Sequence, residues 1–271
     1  MKIKFPLFFI FILAMSPQKG IVVADNQIAV DIGSEILQKG NAFDAAVTTA
    51  LILGITHPHS SGIGGGGFAV FKKGNTVGSL DFREMAPSSF YPEVFTDGRN
   101  SRSGPWAVGV PGELAGLFEL HKGRGALPWS EVVGPATRLA QEGFVVGPVL
   151  ANAIKSNADS ILADPGLSSI FAPNGKMLQE GELCQRPNLA KTLKKLESGL
   201  ADFYSWGTAE SSVAFLNSKG GDFNLHDFES YETKYRKPVF GSFRGFDVYS
   251  MPPPSSGGIA IIQMLGIFQS S

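Results

Sequence analysis

Ser60-Ser61-Gly62-Ile63-Gly64-Gly65-Gly66-Gly67-Phe68 and, beyond a short turn, Leu80-Asp81-Phe82-Arg83-Glu84-Met85-Ala86-Pro87 carry most of the information in this chain. A glycine run lets backbone approach backbone or ligand closely, because no Cβ stands in the way. Phe68-Ala69-Val70-Phe71 and the segment 76–82 read as two strands around a Lys72-Lys73-Gly74-Asn75 turn. Arg83 then falls at a strand end, where a permanently charged, planar fork of donors can meet a carboxylate with two parallel hydrogen bonds. On the residues alone a second reading stands level with that one: Arg83 paired internally with Glu84, Asp81 or Asp44.

Outward from this centre, apolar positions at helical spacing predict a helix over 28–39 that stops at Gly40. Asn41 can cap a second helix, 42–53, apolar almost all round and therefore buried between layers. The segment 91–105 reads as a surface loop and Trp106-Ala107-Val108-Gly109-Val110 as strand-like. Helices are expected at 113–121, 131–142, 149–162, 188–197 and 259–268, with a β pair between 239 and 248 around Arg244-Gly245. Asp164-Pro165-Gly166 and Pro173-Asn174-Gly175 mark turns. No repeat or linker divides the body, so residues 17–271 read as one layered domain, α/β or α+β.

With 271 residues, 43% of them hydrophobic and 17% charged, the chain can bury a sizeable core. Its net charge of −1 provides no electrostatic footprint for nucleic acid. Residues 1–16, a Met1-Lys2-Ile3-Lys4 start followed by an aromatic-rich apolar run and small residues at Ala14 and Ser16, read as a secretory signal peptide. That predicts an extracytoplasmic protein, periplasmic or secreted. Cys184 is the single cysteine, so core burial rather than an intrachain disulfide must stabilise the fold, and Cys184 itself reads as a small buried hydrophobe. The dense basic cluster 191–195 reads as a solvated helix face.

Other chemistries fit poorly. The glycine run has no Gly-Lys-Ser/Thr ending and leads into strands, so it is not a phosphate loop. Ser255-Ser256-Gly257-Gly258 could host a serine nucleophile only with a desolvated lysine, and Lys72-Lys73 lie in a polar turn. Pro252-Pro253-Pro254 more simply forces an extended approach to a helix starting near Ser255 or Ser256. His57 and His59 flank Pro58 without Asp, Glu or Cys at ligand spacing, so no metal site and no cofactor are expected.

The two opening segments, together with Met251-Pro252-Pro253-Pro254-Ser255-Ser256-Gly257-Gly258, resemble the γ-glutamyltransferase (glutathione hydrolase) family. Gly40-Asn41-Ala42-Phe43-Asp44-Ala45-Ala46 is similar to that family's Gly-Asn-Ala-X-Asp-Ala-Ala helix. Ala107-Val108-Gly109-Val110-Pro111-Gly112 and the segment from Pro135 to Phe144 match two further family stretches in order. The resemblance implies an αββα N-terminal-nucleophile hydrolase sandwich and a precursor (zymogen) that cleaves itself. It also implies a threonine, newly N-terminal on the small subunit, that attacks the γ-glutamyl amide of glutathione and passes the acyl group to water or to acceptor amino acids and peptides. Carried over residue by residue, it assigns Arg83 to the α-carboxylate of the γ-glutamyl donor. The family's Thr-Thr-His nucleophile segment has no counterpart in this sequence, and Thr56-His57 sits before the glycine run. The expectation is therefore a partial sandwich without the small-subunit strands: no catalytic residue of its own, Arg83 as its substrate-binding residue, and no activity alone. The alternative is a non-catalytic exported fragment or γ-glutamyl binding module.

Overall fold

Asn41 caps helix entry here in both directions: its side chain accepts from the N–H groups of Phe43 and Asp44, while the Asp44 carboxylate accepts from the Asn41 N–H. Such a reciprocal box satisfies backbone donors that no helical carbonyl can reach. The computed structural model describes residues 20–270; the segment 1–16 read as a signal peptide lies outside the described residues. Helix α1 (Gln27–Lys39) is capped by Asn26 and stops at Gly40, and helix α2 (Ala42–Thr56) follows at once. With Val47, Ile52 and Ile55 fully buried, α2 is the central beam of the main core, against which α1, α3 (Glu113–His121) and α4 (Trp129–Glu142) pack.

Strands β1 (Gly67–Lys73) and β2 (Thr76–Phe82) form the expected hairpin, with Gly67 opposite Phe82. The sequence carried no sign of the third strand of this sheet. After β3 (Phe144–Val145) and β4 (Leu183–Cys184), which pair with each other, strand β5 (Lys234–Arg236) returns to lie antiparallel to β2. Leu80 and Phe82 point from β2 into a small apolar cluster with Leu120. The hairpin β6 (Val239–Phe243) and β7 (Phe246–Ser250) turns at Arg244 and Gly245, where Arg244 takes a positive φ of 48°.

The remaining helices are α5 (Pro148–Ser156), α6 (Ala158–Ala163), α7 (Pro165–Phe171), α8 (Pro187–Leu196), α9 (Ala201–Tyr204), α10 (Thr208–Ser218), α11 (Leu225–Glu229) and α12 (Gly257–Ser270). Three expectations are corrected. The helix read over 149–162 breaks at Asn157, whose side chain turns back to the Ala153 carbonyl. The turn-rich region after it contains α7, entered through an Asp164 cap. Trp106–Val110 is not a strand: Pro105–Ala107 make a 3-10 turn, and only Val110 pairs, in a single bridge to Met85. Cys184 is fully buried, and burial pushes its thiol up to about 11. On α8, Lys191, Lys194 and Lys195 are exposed while Leu193 and Leu196 are buried. The chain is thus an α+β protein in which helices surround small antiparallel sheets.

Candidate functional site

Arg83 leaves the end of β2 fully committed by its backbone and uncommitted by its side chain. Its N–H donates to Asp81 Oδ1 at 3.1 Å, and its carbonyl accepts from the Tyr231 hydroxyl at 2.8 Å. Two residues on, Met85 and Val110 exchange both backbone hydrogen bonds. The main chain is therefore pinned on both sides of the arginine, which limits where its guanidinium can swing.

The internal partners considered for Arg83 are occupied elsewhere. Asp81 Oδ2 takes both Nε and Nη2 of Arg236, each at 2.7 Å. Asp44 is wholly buried and holds His121 together with the N–H groups of Ala126 and Leu127. No ion pair joins Glu84 and Arg83 among the described residues. The Arg83 side chain is exposed, lies 5.8 Å from the Phe68 ring centre, and lines an open cavity of about 270 Å³ with Asp81, Glu84, Tyr231, Lys234 and Pro254. An uncompensated guanidinium at a cavity is what recognition of a carboxylate requires.

The glycine run forms the floor of a second cavity, of about 420 Å³. A Cβ on Gly66 would stand 2.4 Å from the Phe82 carbonyl oxygen and 2.8 Å from the Glu84 nitrogen, so only glycine lets this loop cross the end of β2. The Gly65 carbonyl accepts from Gly112 and Glu113 at 2.8 and 2.9 Å, docking the start of α3 on the loop. Glu113 is buried there; desolvation, with the Glu84 charge adding, pushes its carboxyl up to about 7. A carboxyl raised on folding favours the folded state's protonated form, so it erodes stability as pH climbs from its unfolded value through about 7. Glu113→Gln is accordingly expected to flatten the decline in urea midpoint between about pH 5 and about pH 8. An unchanged slope in the variant would show that another group sets it.

Arg83 is where the sequence places it, at the strand end beside the glycine floor. The residues that fix it were not legible beforehand: Tyr231 and Arg236 lie 148 and 155 residues from their partners Arg83 and Asp81. The His57 and His59 rings lie 4.7 Å apart, tilted by 39°, and among the described residues no group of three or more His, Cys, Asp or Glu is placed to hold a metal. Ser255 and Ser256 have neither Lys72 nor Lys73 within the small cavity or among their hydrogen-bond partners; Lys73 donates to the Gly123 carbonyl instead.

A fixed cation at a strand end beside a glycine-floored pocket is chemically suited to a small carboxylate-bearing molecule. Comparison with known proteins narrows this. The Gamma-glutamyltranspeptidase family model matches residues 29–271. The glutathione hydrolase proenzyme of Escherichia coli K12 is 38% identical over 264 residues, covering 93% of this chain and 45% of that protein. Glutathione hydrolase 2 of Arabidopsis thaliana is 40% identical over 252 residues, covering 92% and 44%. The crystal structure of Helicobacter pylori gamma-glutamyltranspeptidase superimposes with a TM-score of 0.90 at 35% identity, covering 94% of this chain and 76% of that one. The chain belongs to the gamma-glutamyltranspeptidase family, and it spans under half the length of these two curated relatives.

Proposed function

We propose that this chain supplies the donor-recognition part of a γ-glutamyltransferase/glutathione hydrolase, with Arg83 holding the α-carboxylate of glutathione or another γ-glutamyl compound. The observation that carries the reading is the Arg83 guanidinium, exposed at a cavity and free of any ion pair among the described residues while its backbone is pinned. Held there by its amino-acid end, the donor presents its γ-amide away from the guanidinium. The threonine that attacks that amide comes from a segment outside these 271 residues. Its hydroxyl adds to the γ-carbonyl, its own amine takes the proton, and the leaving amine departs protonated. Water or an acceptor amine then cleaves the γ-glutamyl ester and restores the hydroxyl.

The same reading makes the body, residues 17–271, an incomplete αββα sandwich whose partner is the nucleophile-bearing small subunit. Phe240 and Phe246 on the β6–β7 hairpin, and Met264, Ile267 and Phe268 on α12, are exposed apolar groups suited to cover by that partner. Export by residues 1–16 would place the protein outside the cytoplasm. By itself the chain is expected to release no nitroaniline from a γ-glutamyl nitroanilide; turnover by the purified chain would overturn the division of labour.

Glutathione titrated calorimetrically into the chain tests the anchor. Losing a charge-assisted hydrogen-bonded pair costs about 1.5–3 kcal/mol, so Arg83→Ala is expected to weaken binding roughly 10- to 100-fold. Arg83→Lys, a point charge without the fork, should recover only part. Equal affinities for the three proteins would remove Arg83 from recognition.

A further inference from the structure

Asp81 and Arg83 line the same cavity, and Asp81 Oδ1 already accepts the Arg83 N–H at 3.1 Å. The acid is buried, at 7% exposure. A carboxylate so placed needs a paired cation, because water cannot compensate its charge. That cation comes from β5: Nε and Nη2 of Arg236 both donate to Asp81 Oδ2 at 2.7 Å. The other charged groups lining the cavity, Glu84, Glu232 and Lys234, are exposed, and pairing with a solvated group gains little. Lys234 stands opposite Asp81 in the β2–β5 ladder, yet it forms no ion pair among the described residues. Asp81 is thus the one buried acid in the cavity lining, and a second arginine holds it.

We propose that Arg236 is a positioning residue for donor recognition: by occupying Asp81 it keeps the Arg83 guanidinium free for the substrate carboxylate. Without the Arg236 head group the buried carboxylate would be left uncompensated, the costly outcome of breaking a buried pair. Arg83, whose N–H that carboxylate already holds, then offers the replacement fork. An internal pair of this kind competes with every ligand, because affinity falls with the fraction of chains in which Arg83 is free. The strand itself does not depend on the head group. Ser79 Oγ donates to the Arg236 carbonyl at 2.8 Å, and the Tyr235 hydroxyl donates to Glu119 Oε1 at 2.9 Å. The effect on glutathione rests on the donor reading above, whereas the competition for Asp81 does not.

Arg236→Gln in the isotope-labelled full chain is the test, read first without ligand. Its Arg83 Nε–H resonance is expected to move downfield and to exchange more slowly with water, as the guanidinium enters the Asp81 pair. Adding Asp81→Asn to Arg236→Gln should return that resonance to its original position. Glutathione should bind Arg236→Gln about tenfold or more weakly by calorimetry, and recover to within about threefold in the double variant. A merely structural loss would be deepened, not cured, by removing Asp81 as well. Arg236→Lys keeps a charge on Asp81 without the fork, so a smaller shift and a smaller loss are expected. It decides the question where circular dichroism shows Arg236→Gln unfolded. An Arg83 resonance unmoved in the folded variants, or a double variant that binds as weakly as the single one, would overturn the proposal. A captured Arg83 with glutathione affinity unchanged would instead overturn the donor reading, and the positioning role with it.

Discussion

Asp44→Ala is expected to lower folding stability by about 3–5 kcal/mol, the scale for removing one member of a buried ionic cluster. Asp44 is completely inaccessible, and its two oxygens hold four donors through five contacts: the Asn41 N–H at 2.8 Å, His121 Nε2 at 3.0 Å, the Ala126 N–H at 3.1 and 3.0 Å, and the Leu127 N–H at 3.3 Å. Alanine would leave those part-buried donors without their acceptor, each costing up to about 1–3 kcal/mol where water does not reach it. The loss also cuts the tie between the start of α2 and the turn after α3. Equilibrium urea unfolding of both proteins measures the difference; a loss under about 1 kcal/mol would mean that water or a shifted loop replaces the carboxylate.

Gly116→Ala runs against helix propensity, which by itself would favour alanine by about 1 kcal/mol inside a helix such as α3. The new Cβ would stand 2.0 Å from Cγ and 2.5 Å from Cβ of Phe82, a distance no packing tolerates. Overpacking of this kind costs about 1–3 kcal/mol or more. Phe82 immediately precedes Arg83, so relief of the clash displaces the strand end that carries the guanidinium. Both the urea midpoint and glutathione affinity are therefore expected to fall together in Gly116→Ala. A midpoint equal to or above that of the unsubstituted protein would show that α3 moves away from β2 without consequence.

Local signals read well and distant ones did not. Asn41 ahead of an apolar run, Gly40 behind an amphipathic one and the Lys72–Asn75 turn between β-like segments each announce an element through nearest neighbours, and α1, α2, β1 and β2 stand where those signals put them. The misreadings share a cause. Trp106–Val110 has strand-like composition, yet Pro105 starts a 3-10 turn and leaves only Val110 a partner. Asn157 interrupts a helix whose apolar spacing continues past it. The third strand, Lys234–Arg236, is short and charged and exists because Ser79, Leu80 and Asp81 offer it an edge; tertiary pairing, not propensity, makes it.

The candidate site divides in the same way. Arg83 and the glycine floor are contiguous in sequence and could be recognised together. Tyr231, which holds the Arg83 carbonyl, and Arg236, which occupies Asp81 and so leaves Arg83 unpaired, reach the site only through the return of β5. Glu113 was legible as the first residue of a helix, but nothing in its neighbours foretold that Gly65 would receive its N–H and bury its carboxyl. Arg186 lies further still along the chain and meets the floor through the Gly54 carbonyl.

The most direct measurement compares glutathione with 4-aminobutyryl-cysteinylglycine, which keeps the amine and lacks only the γ-glutamyl α-carboxylate, while following the Arg83 Nε–H resonance of the labelled chain. The anchor account predicts that glutathione shifts this resonance saturably and that the decarboxylated analogue does not. A saturable shift of equal size with both ligands, or with neither while glutathione still binds, would contradict it.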